Sequence, residues 1–286
     1  MKYGVIDVGS NSVRLMMSDG KNTLYKDVIT TRLAEGMGTD FLLKAEPIER
    51  TARAVSFFVQ KAKTELADEI FVFATAAVRR AKNKAVFLGA VKNLCGVDID
   101  VISGENEALM GIKGALDGES GGVIDVGGAS SEVITVTDGV INFSKSLYVG
   151  AVSVTDKCGQ NSNIATEYIE NIIKEYGQIP SVEFCAIGGA ATTIAAVLQE
   201  LEPYDPQKVD GFIVAIEDLE LLLKRLYCLN IEERKKLKGL QPARAEVIAN
   251  GVNILLLIMK KAGIFKIKIS EKDNLEGYLI YKTEKK

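Results

Sequence analysis

One sequence pattern occurs twice in this chain, at residues 4–20 and again at residues 122–139. Each copy begins with a short apolar run that ends in an aspartate, Asp7 in the first copy and Asp125 in the second. A turn of small residues follows, and then an alternating run that closes with Asp-Gly. This order is typical of a strand, a tight loop and a returning strand. The repeat predicts two similar halves, and the loop of the second copy is counted as one residue longer.

The two predicted loops have a composition suited to anions. Asp7 and Asp125 lie where a buried strand ends, and the glycines and serines beside them expose backbone N–H groups without bulk. Two such loops facing each other would clamp a phosphate together with the cation that it carries.

The chain is long enough for two modest cores, with 286 residues of which 47% are hydrophobic and 26% charged. It contains no run of about eighteen apolar residues, and Met1-Lys2 lead directly into a strand. We therefore expect no membrane span, no signal peptide, no membrane partner and a cytoplasmic location. The four cysteines lack metal-ligand spacing and are expected to be reduced, mostly buried thiols.

Charge and composition narrow the chemistry further. The net charge of −3 predicts no nucleic-acid partner, so any polyanion must be held by local basic groups or by a metal. Histidine is absent, which excludes every mechanism that needs a histidine base, nucleophile or zinc ligand. Acid–base chemistry near neutral pH is left chiefly to carboxylate, lysine, tyrosine and thiol groups.

Hydrophobic periodicity predicts alternating strands and helices along both halves. Pro47 opens the first helix, and Asn83 and Ser103 are predicted to cap two later helices. The connector between the halves is placed at 118–121. Strands are predicted at 24–31, 69–75, 97–102, 122–127, 132–137, 140–147, 181–187 and 264–270, and helices at 47–66, 83–94, 103–116, 150–157, 164–176, 188–201, 217–227, 242–262 and 274–284.

A third small-residue loop follows the strand at 181–187. Gly188, Gly189 and Ala190 come directly after this strand and begin a helix, whose unpaired N–H groups and dipole favour an anion. A glycine needed only for close packing of strand and helix explains the same residues, and both interpretations stay open.

Several other phosphate-handling designs are missing from the sequence. There is no Gly-x-x-x-x-Gly-Lys segment and no Asp-x-Asp-x-Thr segment. The remaining arrangement suits direct phosphoryl transfer to water or to an acceptor, with amides, a divalent cation and an arginine neutralising charge. Asp125 and Glu132 are placed to recruit the metal, and Asp7 is the symmetric candidate.

Arginine and glutamate candidates lie in the first half. Arg79 and Arg80 follow a strand end and could meet substrate oxygens, although adjacent arginines are more often solvated surface. Glu105 and Glu107 fall in the first turn of a helix, where acidic residues commonly do no more than complement the helix dipole.

Seven segments, in order, resemble the exopolyphosphatase and guanosine pentaphosphate phosphohydrolase family. Asp-Val-Gly-Ser-Asn-Ser at 7–12 looks like its first phosphate loop, Ile-Ser-Gly-Glu-Asn-Glu-Ala at 102–108 like its Ile-Ser-Gly-x-Glu-Glu-Ala segment, and Asp-Val-Gly-Gly-Ala-Ser-Ser-Glu at 125–132 like its second loop. Segments 74–83, 146–151, 186–193 and 239–246 are similar to four further blocks. The likeness covers nearly the whole chain.

The resemblance implies a fold and a mechanism. The fold would be α/β, with two ribonuclease H-like domains of the actin, sugar-kinase and heat-shock ATPase type and a cleft between them. Glu107 would activate water, Arg79 would contact phosphate, and Asp125 and Glu132, with Asp7, would hold Mg²⁺ or another divalent cation. The loop residues that would bind phosphate are Ser10, Asn11, Ser12, Gly127, Gly128, Ala129, Ser130, Gly188, Gly189 and Ala190.

The expected domains are residues 1–118, joined by a C-terminal helix at 275–286, and residues 119–274. The expected activity is release of terminal orthophosphate from polyphosphate or guanosine pentaphosphate. Departures from the family pattern lie at Arg80, Asn106, Ala129, Ser153 and Leu275, and the last two stand where the family usually has arginine.

Three hypotheses follow. A phosphohydrolase leads, a non-catalytic sensor of polyphosphate or guanosine tetraphosphate comes second, and a small-molecule kinase of the same fold group comes third. A homodimer is compatible with all three.

Overall fold

The computed structural model describes residues 1–116 and 120–284. The predicted domain boundary at 118 and 119, half of the predicted connector and the last two lysines lie outside the described residues. The chain forms two compact units, the first made of Met1–Met110 with a C-terminal segment that starts at Asn274, and the second of Gly111–Asp273.

The first unit is a five-stranded mixed sheet with helices. Its elements are β1 (Tyr3–Val8), β2 (Ser12–Ser18), β3 (Thr23–Thr30), α1 (Ala45–Thr64), β4 (Glu69–Ala74), α2 (Ala76–Arg80), α3 (Lys84–Cys95), β5 (Asp100–Val101) and the start of α4 (Gly104–Ala115). The strand order is β3-β2-β1-β4-β5. Strands β1 to β3 form an antiparallel meander, whereas β4 and β5 add in parallel.

The second unit repeats this plan around a six-stranded sheet. Its elements are β6 (Gly121–Val126), β7 (Ser131–Thr137), β8 (Val140–Leu147), α5 (Ala151–Cys158), α6 (Ser162–Ile173), β9 (Phe184–Ile187), α7 (Gly188–Leu198), α8 (Pro206–Val209), β10 (Ile213–Ala215), α9 (Ile216–Cys228), α10 (Ile231–Arg234), α11 (Ile248–Ala262) and β11 (Lys266–Ile269). Two 3-10 turns, Lys174–Tyr176 and Pro242–Arg244, precede β9 and α11. The strand order is β10-β11-β9-β6-β7-β8.

The predicted repeat is confirmed by the sheet topology. In each unit a strand pairs antiparallel with the strand that follows it, and parallel with a later strand on its other side. An antiparallel meander continued by parallel strands, with helices packed on the sheet, is the ribonuclease H-like plan, and both units have it. The fold class expected from the resemblance is therefore correct.

The predicted difference in loop length is wrong. Val8 pairs with Val13 in the first hairpin, and Val126 pairs with Ser131 in the second, so both turns have the same length. The extra residue lies at the far end of β7: Ser18 and Val136 hold equivalent positions of the two hairpins, and Thr137 stands between Val136 and Asp138 whereas Asp19 follows Ser18 directly.

Each unit has its own apolar core. The apolar stripe of α1 is buried, since it packs into the first unit through Ile48, Ala52, Val55, Phe58, Val59 and Ala62. In the second unit the sequence of α11 is apolar on nearly every face, and the helix is accordingly buried from Ile248 to Met259. A final helix, α12 (Asn274–Thr283), closes the chain and packs in the first unit through Leu275, Tyr278 and Leu279.

Several local predictions differ from the structure. Asn83 does not cap α3, because its amide exchanges two hydrogen bonds with the backbone of Leu43. The strand predicted at 97–102 shrinks to the two residues of β5, and the helix predicted from 242 begins only at Ile248. The short helix α2, which carries Arg79, was not predicted at all.

No helix within residues 1–116 or 120–284 is long and apolar enough to cross a membrane. All four cysteines are free thiols, of which Cys158 and Cys185 are buried and Cys228 is exposed.

Candidate active site

The first loop, Gly9 to Ser12, is turned so that its carbonyl groups face the body of its own unit. The amide of Ala34 donates to the Ser10 carbonyl at 3.0 Å, and the amides of Thr31 and Arg32 donate to the Asn11 carbonyl at 2.9 and 2.8 Å. Across the turn, the amide of Gly9 donates to the Ser12 carbonyl at 3.0 Å.

The second loop, Gly127 to Ser130, has the same geometry. Across the turn, the amide of Gly127 donates to the Ser130 carbonyl at 2.9 Å. The start of α5 holds the next two carbonyls: Ala151 donates to Gly127 at 2.9 Å, and the amide of Val152 donates to Gly128 at 2.7 Å.

Held carbonyls determine where the neighbouring amides point. A trans peptide places its N–H opposite its C=O, so a carbonyl bound on one side of the loop turns the following N–H to the other side. In the second loop this aligns the amides of Gly128, Ala129 and Ser130, none of which donates to an acceptor in the described part of the chain. Successive aligned amides are the geometry that a concave anion site requires, and anion binding by these loops stays a prediction.

The two aspartates of the repeat have opposite surroundings. Asp7 faces Arg14 across β1 and β2, and the two form an ion pair with 2.5 Å between Nη2 and Oδ2. Asp125 faces Glu132 at the equivalent position of β6 and β7. The residue opposite the aspartate is therefore a cation in the first unit, Arg14, and a second carboxylate in the second unit, Glu132.

The acidic pair of the second unit lies against buried polar groups. Glu132 is 3% exposed, and its Oε1 accepts a hydrogen bond of 2.5 Å from the Ser146 hydroxyl. Nearby, the Tyr176 hydroxyl bonds to Ser131. Burial raises the pKa of Tyr176 well above its ordinary value, and the charges of Glu132 and Asp125 raise it further.

This pair fits a divalent cation. Like charges placed directly opposite on adjacent strands repel, and a cation between Asp125 and Glu132 would relieve that repulsion. No group of three or more acidic, cysteine or histidine ligands occurs in the parts of the chain that the structure covers. Mg²⁺ suits such a site, because it is commonly held by one or two carboxylates and completed by water and substrate phosphate. Asp7 fits a cation less well, since Arg14 already balances its charge.

The predicted base and the predicted arginine meet in the first unit. Ser103 caps α4 by accepting the amide of Asn106 at 3.1 Å, which places Glu107 in the first turn. Glu107 is 6% exposed, and its Oε2 lies 2.6 Å from Nη1 of Arg79. The same Nη1 donates to the Ile102 carbonyl at 3.2 Å. Arg79 was expected to contact phosphate, and its contact in the structure is with the carboxylate.

The third loop begins α7 beside the second. Gly188 has a φ of +80°, and a Cβ there would overlap the Asp125 carboxylate, so this position favours glycine whether or not the loop binds an anion. A Cβ on Gly189 would overlap the guanidinium of Arg244. The helix N-terminus and an arginine therefore lie together, and both favour an anion.

Four neighbours of these groups were assigned no role from the sequence. Arg14, Ser146, Ser153 and Arg244 each touch a predicted site residue or its loop. Register could have found Arg14, because it stands seven residues after Asp7 as Glu132 stands after Asp125. The other three are brought to the loops by tertiary packing, which no local pattern reports.

Solved structures with the same architecture are known. A Ppx/GppA enzyme from Aquifex aeolicus superposes with a TM-score of 0.78 and 28% identity, covering 98% of this chain and 99% of the other. An exopolyphosphatase from Cytophaga hutchinsonii gives a TM-score of 0.89 over 100% of this chain and 98% of the other at 21% identity, which shows the fold alone.

Sequence relatives agree with the structural ones. Exopolyphosphatase 2 of Mycobacterium tuberculosis is 26% identical, with 96% of this chain and 97% of that protein covered. A bifunctional 3-dehydroquinate synthase/phosphatase of Fusobacterium nucleatum is 30% identical over 98% of this chain, which spans only 46% of that longer protein.

The ribonuclease H-like units, taken with these relatives, define a phosphoanhydride hydrolase. The model of the Ppx/GppA phosphatase family matches residues 15–286. The chain belongs to this family, as the seven sequence segments indicated.

Proposed function

We propose that this chain releases terminal orthophosphate from inorganic polyphosphate or from guanosine pentaphosphate, with water as the acceptor and a divalent cation as cofactor. The observation that carries the proposal is the matched pair of loops, whose carbonyls accept hydrogen bonds from their own unit. Because each peptide is trans, this arrangement turns the amides that follow those carbonyls outward. Such amides bind oxygens of a phosphate chain regardless of what the chain is attached to.

Glu107 is the residue to which we assign activation of the attacking water. Its carboxylate would orient a water molecule toward the terminal phosphorus and accept its proton as the new P–O bond forms and the bridging P–O bond breaks. The ion pair with Arg79 supports this role, because a buried carboxylate needs a cation to remain charged. Arg79 then acts as a positioning residue for Glu107.

Asp125 and Glu132 are the residues that would hold the cation. When bound, Mg²⁺ would neutralise charge that develops on the phosphate oxygens. The Ser146 hydroxyl fixes the orientation of Glu132, and the aligned amides of the second loop contribute further positive potential.

The decisive experiment measures phosphate release by the wild type on long polyphosphate, tripolyphosphate and guanosine pentaphosphate, with Mg²⁺ or with a chelator. We expect release in Mg²⁺ and none with the chelator. Replacement of Glu107 by Gln should lower kcat by at least about 100-fold, because the proton acceptor is lost while the shape of the side chain is kept.

Glu105→Gln is the matched control for this experiment. Glu105 lies in the same helical turn and is exposed, so its replacement should leave kcat unchanged. A Glu107→Gln enzyme that turns over like the wild type would refute the assigned role. A wild type that releases no phosphate from any of the three substrates would refute the proposed function.

A further inference from the structure

We propose that Ser153 is a positioning residue of the second phosphate loop, and that its hydroxyl sets the direction of the last anion-binding amide. This inference rests on the proposed function and adds a residue to its machinery. The hydrogen bond that motivates it joins the loop to the side chain of Ser153 and not to a backbone amide.

The Ser153 hydroxyl connects α5 to the loop. It lies 3.0 Å from the Ala129 carbonyl and 3.2 Å from the Gly150 carbonyl, and it accepts the Gly150 amide at 2.9 Å. A hydroxyl has one proton to donate, and the shorter of the two carbonyl contacts is the one to the loop.

Ala129 depends on this side chain in a way that its neighbours do not. Gly127 and Gly128 are held by backbone amides at the start of α5, which any sequence would supply. The Ala129 carbonyl accepts from the Ser153 hydroxyl and from no other donor among residues 1–116 and 120–284. The identity of residue 153 therefore decides whether the third carbonyl of the loop is held.

The held carbonyl determines the direction of the next amide. Because the peptide between Ala129 and Ser130 is trans, fixing the carbonyl toward α5 turns the Ser130 N–H to the outer side of the loop. There it joins the amides of Gly128 and Ala129 as the third aligned donor. Without the hydroxyl this peptide plane can rotate, and the anion site loses one of its three ordered donors.

The surrounding packing makes the effect specific to that peptide. Ala129 is 1% exposed, and a Cβ added to Gly150 would lie 2.5 Å from the carbonyl carbons of Gly128 and Ala129. The loop thus rests directly on the helix start, and the Ser153 hydroxyl reaches the Ala129 carbonyl without displacing any main-chain contact.

The test compares Ser153→Ala with two matched variants by calorimetric titration of tripolyphosphate and by steady-state phosphate release. Ser153→Thr keeps the hydroxyl. Thr155→Ala removes another buried hydroxyl of α5, which donates to Ala151 and accepts from Asn250 but does not touch the loop. Alanine is a good helix former, so Ser153→Ala should fold.

We expect Ser153→Ala to raise the Kd for tripolyphosphate, and the KM for phosphate release, by about tenfold, the usual worth of one ordered hydrogen bond. Ser153→Thr should restore both values. Thr155→Ala should lower the midpoint of thermal unfolding while leaving both values at the wild-type level, which separates positioning from stability.

Two results would overturn the inference: wild-type affinity in Ser153→Ala, or an equal loss of affinity in Thr155→Ala. Failure of the proposed function looks different, because a wild type that binds tripolyphosphate and releases no phosphate would refute hydrolysis alone. A wild type that does not bind tripolyphosphate would overturn both.

Discussion

At the scale of single residues, the repeat shows how one residue difference gives two equivalent hairpins opposite charge environments. Asp7 and Asp125 occupy the same position, but the residue opposite is Arg14 in one hairpin and Glu132 in the other. An aspartate paired with arginine has its charge balanced within the protein. An aspartate opposite glutamate meets a second negative charge, which a bound cation would balance.

This contrast predicts that the two aspartates differ in their effect on metal dependence. Asp125→Asn should raise the Mg²⁺ concentration for half-maximal phosphate release by at least about tenfold, because one of two carboxylate ligands is lost. Asp7→Asn should change that concentration by less than about twofold while lowering stability by up to about 3 kcal/mol, since the ion pair between Asp7 and Arg14 is lost.

Magnesium titrations of activity, with Mn²⁺ binding followed by electron paramagnetic resonance, would measure the difference. Chemical denaturation of both variants serves as the control for folding. If Asp7→Asn shifted the metal requirement as far as Asp125→Asn, Asp7 would be a metal ligand, as the symmetry of the sequence predicts.

At the scale of elements, the second loop takes its shape from the helix behind it. The first turn of α5 uses its amides on the carbonyls of the loop, so the loop amides are aligned without any contact to a ligand. Gly150 permits this arrangement, because there is no space for a Cβ between the helix start and the loop backbone.

Gly150→Ala should therefore impair substrate binding. The added methyl group would meet main-chain atoms of Gly128 and Ala129 at 2.5 Å and push the loop away from α5. We expect kcat/KM for phosphate release to fall by at least about 100-fold, as when a preorganised donor is removed.

Gly89→Ala provides the matched control. Gly89 lies within α3, where a Cβ would meet nothing within 4 Å, so alanine should stabilise the helix by about 0.5–1 kcal/mol without altering kcat/KM. Equal kinetics for Gly150→Ala and the wild type would mean that α5 does not hold the loop.

Elements that depend on local sequence could be predicted, and features that depend on contacts with distant residues could not. Both hairpins and the stripe on α1 follow from local periodicity, and the structure has them close to the predicted positions. Asn83 could not be assigned, because an asparagine before a helix caps it only if nothing better competes, and the backbone of Leu43 does.

The candidate site divides in a similar way. The loops and their acids were visible as small residues after apolar runs, and Glu107 was placed by its resemblance to a family segment. The contacts that hold them were not visible, because Arg79 lies 28 residues from Glu107, and Ser153 lies 24 residues from Ala129. Only a folded chain brings such pairs together.

At the scale of the whole molecule, the chain starts and finishes in the same unit. Helix α12 buries Leu275 and Tyr278 against the sheet that contains β1, and the ring of Tyr278 stacks on Phe73 with 4.3 Å between centroids. Its Glu276 carboxylate binds Lys26 at 2.9 Å. The second unit has a separate core built around α11. Two cores of this kind predict two cooperative units of unfolding.

Core substitutions should therefore act on one unit at a time. Tyr278→Ala should lower the free energy of unfolding of the first unit by about 3–5 kcal/mol, because a large buried ring is removed. The backbone amides of the first unit, including those of β1 and β2, should then exchange hydrogen faster. Leu255→Ala, which truncates a fully buried side chain of α11, should cost the second unit about 2–5 kcal/mol and speed exchange there.

Hydrogen exchange followed by mass spectrometry at increasing denaturant would measure both units in each variant. Protection should fall in the unit that carries the substitution and stay at the wild-type level in the other. If either substitution lowered protection equally in both units, the chain would unfold as one cooperative structure, and a defect near α12 would reach the acidic pair on β6 and β7 as readily as it reaches Glu107.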